Sequence, residues 1–189
     1  MSQYNEDKNF AAGDCNNIEF PGNSFEHCGF NNCDLSEYDL SSTTFIDCRF
    51  TDCNLSLVKL SDTNFRDVQF TGCKMLGLMF GDCNKYGVAF NFNNCVLNNA
   101  SFFKTKIQKT AFNTCQLQEA DFTSCDATSS IFDNCNFLNA KFENTVLEKA
   151  DFRTAYNYVI DPTLNKIKKA RFSLPGVTGL LQQFNIIIE

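Results

Sequence analysis

The chain has 189 residues, a formal net charge of −6 at pH 7, eleven cysteines and a single histidine. The length is enough for one domain with a substantial core, and the acidic balance argues against nucleic acid as a direct ligand. The start MSQYNEDKNF has no secretory pattern, and no apolar run approaches the length of a membrane span. We therefore expect a soluble cytoplasmic protein that does not bind a membrane.

A large apolar residue recurs every five positions along most of the chain. From Phe10 to Phe90 fourteen of seventeen such positions are Phe or Leu, and from Phe92 to Phe152 eleven of thirteen are. Side chains repeat their direction every two residues in a strand and every 3.6 in a helix, so a period of five fits neither. We interpret each five-residue unit as one side of a four-sided coil, with its central residue and the residue two before it facing inward.

A second period of twenty residues indicates that successive coils stack like residue on like residue. Neighbouring coils would pair as parallel strands about 4.8 Å apart, so about seven coils would make a rod of roughly 34 Å. The predicted core ladders are Phe25, Phe45 and Phe65; Phe30, Phe50 and Phe70; Leu35 and Leu55; Leu40 and Leu60; and Cys33, Cys53 and Cys73.

The cysteines and the histidine give little support for catalysis or metal binding. Ten cysteines lie two residues before an inward position, which is typical of small buried residues and not of a disulfide scaffold. There are no paired CxxC motifs with histidine co-ligands, so we expect neither a metal nor another cofactor. His27 falls on an outward position without a predicted nucleophile beside it. The sequence therefore predicts a protein that is not an enzyme and has no small-molecule substrate.

The segments CDLSE, CNLSL, ADFTS and ADFRT resemble the pentapeptide-repeat pattern, approximately A(D/N)LXX, over roughly residues 10–155. The resemblance implies an all-β fold, a right-handed quadrilateral parallel β-helix, which we assign to residues 1–155. The five-residue register slips by two near residues 84–95, where Gly87 permits an unusual backbone. A tolerated insertion is the simpler interpretation, although insertions in solenoids often lie on binding faces.

Residues 156–189 abandon the repeat and are predicted to cap the rod. Pro175 would begin a short α-helix, and the final IIIE would form a strand. The segment is similar to the C-terminal part of Qnr-type pentapeptide-repeat proteins, which joins two rods end to end. That resemblance implies a homodimer formed through the apolar residues Val177, Leu180, Leu181, Phe184, Ile186 and Ile188.

Five outward aspartates form candidate acidic columns. Asp47 and Asp67 are twenty residues apart, Asp62 and Asp82 are twenty apart on another side, and Asp52 is assigned to the side between. They are either an ordinary solvated face or carboxylates that imitate DNA phosphates. A second outward feature is an apolar cluster of Leu57, Leu76 and Met79, which the inserted segment could cover.

The Qnr-type resemblance implies a non-catalytic protein that binds a type II topoisomerase, DNA gyrase, by resembling DNA and that protects it against quinolones. This chain inserts only two residues where many Qnr-type proteins carry a longer loop. The alternative is a structural scaffold or interaction module with an unknown partner.

Overall fold

The computed structural model describes residues 3–187 of the chain. These residues form an all-β parallel solenoid of about 8 turns, so the predicted fold class is confirmed. Each coil pairs in parallel with the next, and Phe25 stands directly opposite Phe45 just as Phe30 stands opposite Phe50. The spacing of twenty residues is therefore one complete coil.

Two of the four sides of the coil contain regular strands in the described chain. The first face is a four-stranded sheet from Tyr4–Glu6 to Asn64–Arg66, and the second face is a nine-stranded sheet from Asn9–Phe10 to Arg171–Phe172. The third and fourth faces follow in each coil and are joined by isolated bridges such as Asp34 to Asn54 and Asp39 to Lys59. The strands are β1 Tyr4–Glu6, β2 Asn9–Phe10, β3 Ser24–Glu26, β4 Gly29–Asn31, β5 Thr44–Ile46, β6 Arg49–Thr51, β7 Asn64–Arg66, β8 Val68–Thr71, β9 Phe90–Asn93, β10 Ala111–Asn113, β11 Ile131–Asp133, β12 Asp151–Phe152 and β13 Arg171–Phe172.

The core consists of the predicted ladders. The ring centroids of Phe30 and Phe50 are 4.6 Å apart and those of Phe50 and Phe70 are 5.1 Å apart, in both cases stacked. On the second face this ladder extends over Phe10, Phe30, Phe50, Phe70, Phe92, Phe112, Phe132, Phe152 and Phe172. The predicted Phe25, Leu and Cys ladders are also buried. A central residue therefore buries its side chain against its counterparts in the coils above and below.

The corners of the rod explain the polar residues between the inward ones. The last residue of most units has a left-handed backbone, as at Asp47 with φ 50° and Asn94 with φ 53°. Asn and Asp tolerate this region better than other non-glycine residues because their short side chains bond locally. The corner positions are therefore outward and mostly polar, and they repeat every coil.

The two-residue insertion changes the pairing register between two coils. Phe70 pairs with Phe92, twenty-two residues later, where other coils pair at twenty. At the expected inward position of the first face stands Gly87, which is exposed and has φ 72°. The coil thus lacks one inward side chain. Phe90 fills the resulting space, because its ring is buried 5.3 Å from that of Phe80 and 6.3 Å from that of Phe65.

All eleven cysteines are buried free thiols. Burial raises the pKa of the Cys48 thiol to about 12, so this group is protonated and unreactive at neutral pH. Among residues 3–187 no group of three His, Cys, Asp or Glu side chains is arranged to hold a metal ion. The same range contains no helix long and apolar enough to cross a bilayer.

Parallel pairing continues past residue 155, because β13 pairs with β12. In place of the predicted α-helix, the tail forms two 3-10 helices, Pro175–Leu180 and Gln182–Phe184, separated at Leu181. Gly176 and Gly179 lower the helix propensity of this segment. Within the described residues no strand follows the second helix, and Ile188 lies outside them.

The tail packs on the last coil of the rod. The N–H of Ile160 donates to the carbonyl oxygen of Gly179 at 3.0 Å. A Cβ on Gly179 would lie 2.2 Å from the carbonyl oxygen of Tyr158, so only glycine allows this approach. The tail thereby covers part of the open end of the solenoid.

Candidate partner-binding surfaces

The two predicted acidic columns border the same face of the rod. Asp47 and Asp67 occupy successive coils at the corner between the first and second faces. Asp62 lies at the opposite corner of the first face, where its N–H donates to the carbonyl oxygen of Asp82 at 2.9 Å. All four side chains are exposed. Two rows of carboxylates therefore flank the first face in the coils that precede the insertion.

The sequence predicted Asp52 on the side between the two columns, but it does not lie there. It occupies the corner between the second and third faces, diagonally across the coil from the corner of Asp62. Its carboxylate folds over Gly72 in the next coil, where a Cβ would be 2.1 Å from Asp52 Oδ1. Each coil has four corners five residues apart, and closure of the coil makes the fourth corner adjacent to the first. The corners of Asp47 and Asp62, fifteen residues apart, are therefore neighbours, and the corner of Asp52 lies on the other side of Asp47.

His27 belongs to the column of Asp47 and Asp67, which the sequence analysis did not recognise. Its Nδ1 is 3.9 Å from a carboxylate oxygen of Asp7, and its Nε2 is 3.6 Å from one of Asp47. The side chain is half exposed. The twenty-residue spacing from Asp7 to His27 to Asp47 was the available signal. The histidine is therefore a surface group between two carboxylates.

Two carboxylates of the acidic face are held by contacts between successive coils. The Tyr4 hydroxyl donates to Glu26 Oε2 at 2.5 Å, and this hydrogen bond raises the pKa of Tyr4 to about 12. Asn84 Nδ2 donates to Asp62 Oδ1 at 2.7 Å. Glu26 and Asp62 are therefore oriented by neighbours, which reduces the side-chain freedom that a partner would otherwise have to restrict.

The same corner becomes basic after the insertion. Counting twenty-two residues across the slip, the column of Asp7 and Asp47 continues with Lys109, Lys149 and Lys169, all in left-handed backbone. A constant spacing of twenty residues does not lead to these lysines, because the insertion shifts the spacing to twenty-two. The first face is thus acidic over the coils before the insertion and basic over those after it.

Two of the places where apolar side chains are exposed were singled out in the sequence. Leu57 is 58% exposed and Met79 is 50% exposed, so the inserted segment does not cover them. In the tail, Val177, Leu180 and Leu181 are partly buried, whereas Phe184, Ile186 and Ile187 are exposed, as is Leu174 at 88%. The predicted single stripe is therefore divided, because two 3-10 helices do not present residues at α-helical spacing on one side.

Comparison with known families agrees with the coil geometry. The profile for the pentapeptide repeat region matches residues 23–91, and that for pentapeptide repeats (8 copies) matches residues 115–153. The chain belongs to the pentapeptide-repeat family. A search of curated protein sequences finds no match.

Solved structures of other pentapeptide-repeat proteins share the fold. Two trypsin-treated forms of QnrB1, described as a plasmid-mediated fluoroquinolone resistance protein, align over 100% of this chain and 99% of their own. Their TM-scores are 0.65 and 0.63, at 17% and 18% sequence identity. At such identity the likeness concerns the fold alone.

Proposed function

We propose that this protein is a non-catalytic binding protein whose acidic first face occupies the DNA-binding surface of a type II topoisomerase, DNA gyrase. The proposal rests on the positions of four aspartates. Asp47 and Asp67 lie on one edge of the face, and Asp62 and Asp82 lie on the other. Two parallel rows of negative charge on a rod resemble the two phosphate backbones of a duplex. The fold shared with QnrB1, a fluoroquinolone resistance protein, supports the same proposal.

The distribution of charge restricts the mimicry to the coils before the insertion. Stacked carboxylates about 4.8 Å apart repel each other by roughly 1 kcal/mol in water. A basic groove on the partner would relieve that repulsion, and such complementarity raises the association rate and makes binding sensitive to salt. The lysine column after the insertion would be repelled by the same groove. The acidic half of the rod is therefore the half that enters the partner's groove.

The test is inhibition of gyrase supercoiling by the purified protein, with and without a fluoroquinolone. We expect the wild type to inhibit supercoiling and the inhibition to weaken as salt is raised. Changing Asp47, Asp62, Asp67 and Asp82 to Asn takes the net charge from −6 to −2. We expect this variant to need at least about ten times more protein for half-inhibition, a loss of about 1.4 kcal/mol of binding free energy.

A matched control removes the same charge from the third and fourth faces. Changing Glu19, Glu37, Glu119 and Glu143 to Gln also gives −2. We expect the control to inhibit within about two-fold of wild type. If both variants lose activity equally, net charge and not the columns governs binding, and DNA mimicry by this face is wrong. If the wild type does not affect gyrase, the scaffold alternative becomes the better account, and exposed Leu57 and Met79 are its candidate contact.

We also propose that two rods join through the tail. Three of the predicted contact residues, Val177, Leu180 and Leu181, are partly buried on their own chain. The contact is therefore centred on the exposed residues Leu174, Phe184, Ile186 and Ile187. Ile188, which was also predicted to form the dimer contact, lies outside the described residues. A two-fold interface would remove this apolar surface from water in both chains at once.

Sedimentation velocity tests the dimer. We expect the double variant Phe184→Asp/Ile187→Asp to sediment as a monomer that keeps the β signal of the rod in circular dichroism, because both side chains are exposed in the single chain. Leu57→Asp/Met79→Asp introduces the same two charges into an exposed apolar patch away from the tail and should leave the dimer intact. A wild type that sediments as a monomer would mean that the tail only caps the rod.

A further inference from the structure

The insertion creates a pocket on the side of the rod. Its volume is about 300 Å³, and it lies where the coil has no inward side chain on the first face. It is lined by Phe80, Gly81, Cys83, Asn84, Lys85, Tyr86, Val88, Lys104, Thr105 and Lys106. The volume is at the lower end of the range in which proteins hold small organic ligands.

The floor of the pocket is apolar. Phe80 and Cys83 are buried, and Val88 packs against the core. Tyr86 is 83% exposed and lines the same pocket. Phe90 fills the interior behind this floor, so the pocket is closed toward the core and open toward solvent. A flat apolar body could be buried here without displacing any core residue.

The rim of the pocket is positively charged. Lys85, Lys104 and Lys106 line it, and no carboxylate does. In the described part of the chain none of the three has an ion-pair partner within 4.0 Å. Lys104 is held at the rim because its Nζ lies 4.7 Å from the centre of the Phe103 ring. Three like charges around one apolar recess repel each other, and an anion between them would relieve that repulsion.

Three acidic residues lie close to the pocket. Asp82 stands between the lining residues Gly81 and Cys83 in the chain, and the other two are engaged by other side chains. Asp62 accepts a hydrogen bond from Asn84 at 2.7 Å, and Asp126, in the coil after Lys106, accepts one from Gln108 at 2.6 Å. Neither carboxylate lines the pocket.

We propose that this pocket binds a small amphipathic anion, with a flat apolar body on Phe80, Cys83 and Val88 and its anionic group between Lys85, Lys104 and Lys106. The ligand is bound and not transformed, since the lining offers no nucleophile with an adjacent base. The site would give the insertion a role of its own, separate from the acidic columns and from gyrase.

The test uses 8-anilinonaphthalene-1-sulfonate as an aromatic anion and follows amide chemical shifts by NMR. We expect saturable shifts at Gly81, Tyr86 and Val88. Changing Lys85, Lys104 and Lys106 to Gln should weaken binding at least about ten-fold. The control changes Lys109, Lys149 and Lys169 to Gln, which gives the same net charge of −9 at exposed corners outside the pocket.

We expect the control triple variant to bind within about two-fold of wild type. The uncharged analogue N-phenyl-1-naphthylamine should bind more weakly than the sulfonate to the wild type and equally to both variants. Shifts confined to the exposed tail residues, or equal losses in the two lysine variants, would overturn the proposal. All six lysines are exposed, so the variants should remain folded, as thermal melts will show.

Discussion

Replacement of Phe50 by alanine is expected to lower the free energy of unfolding by about 3–5 kcal/mol. Phe50 is completely buried and is a middle rung of the longest ladder, stacked on Phe30 and Phe70 and edge-on to Phe45. Truncation removes the burial of the ring and also leaves a cavity that rigid neighbouring coils cannot close. Urea denaturation followed by circular dichroism measures the loss.

The matched control for this ladder is the next residue along the strand. Thr51 belongs to the same strand but faces outward, and its backbone carbonyl, which accepts from Asn32, is unaffected by the side chain. Thr51→Ala should change stability by no more than about 0.5 kcal/mol. Similar losses in the two variants would contradict the assignment of inward and outward positions.

Replacement of Phe90 by alanine is expected to cost about as much, again 3–5 kcal/mol. A comparison of repeats predicts a smaller cost, because smaller residues such as Val68, Ser130 and Ala150 occupy the equivalent position in other coils. In this coil, however, Gly87 contributes no inward side chain, and the ring of Phe90 fills the space. Alanine would leave it empty.

The conservative variant Phe90→Leu retains most of the volume and should cost less than about 1.5 kcal/mol. Both variants can be compared with wild type in the same denaturant series. A neutral or stabilising Phe90→Ala would mean that the insertion rearranges to supply another inward side chain, and the interpretation of the pocket floor would have to change with it.

The sequence alone determined the coil and its core. A five-residue unit buries its own central residue, so the ladders of Phe25, Phe30, Leu35 and Leu40 could be read from local spacing, and the structure confirms them. The same spacing placed all five predicted aspartates on the outside. Local periodicity was sufficient because every coil repeats the environment of the previous one.

Only the tertiary structure decided which outward residues are neighbours. Closure of the coil puts Asp47 and Asp62 on two edges of one face and moves Asp52 to the diagonal corner. Stacking brings His27 between Asp7 and Asp47, although twenty residues separate each pair. These relations depend on coil closure and on stacking, which a single unit does not encode.

The insertion and the tail were also settled by packing. The shift from twenty to twenty-two residues per coil hid the lysine column, and the empty inward position explains why a large residue stands at Phe90. The tail forms 3-10 turns in place of an α-helix because Gly179 must lie against the backbone of Tyr158 at the end of the rod. Apolar spacing predicts a helix for an isolated segment, but contact with the last coil fixes its actual shape.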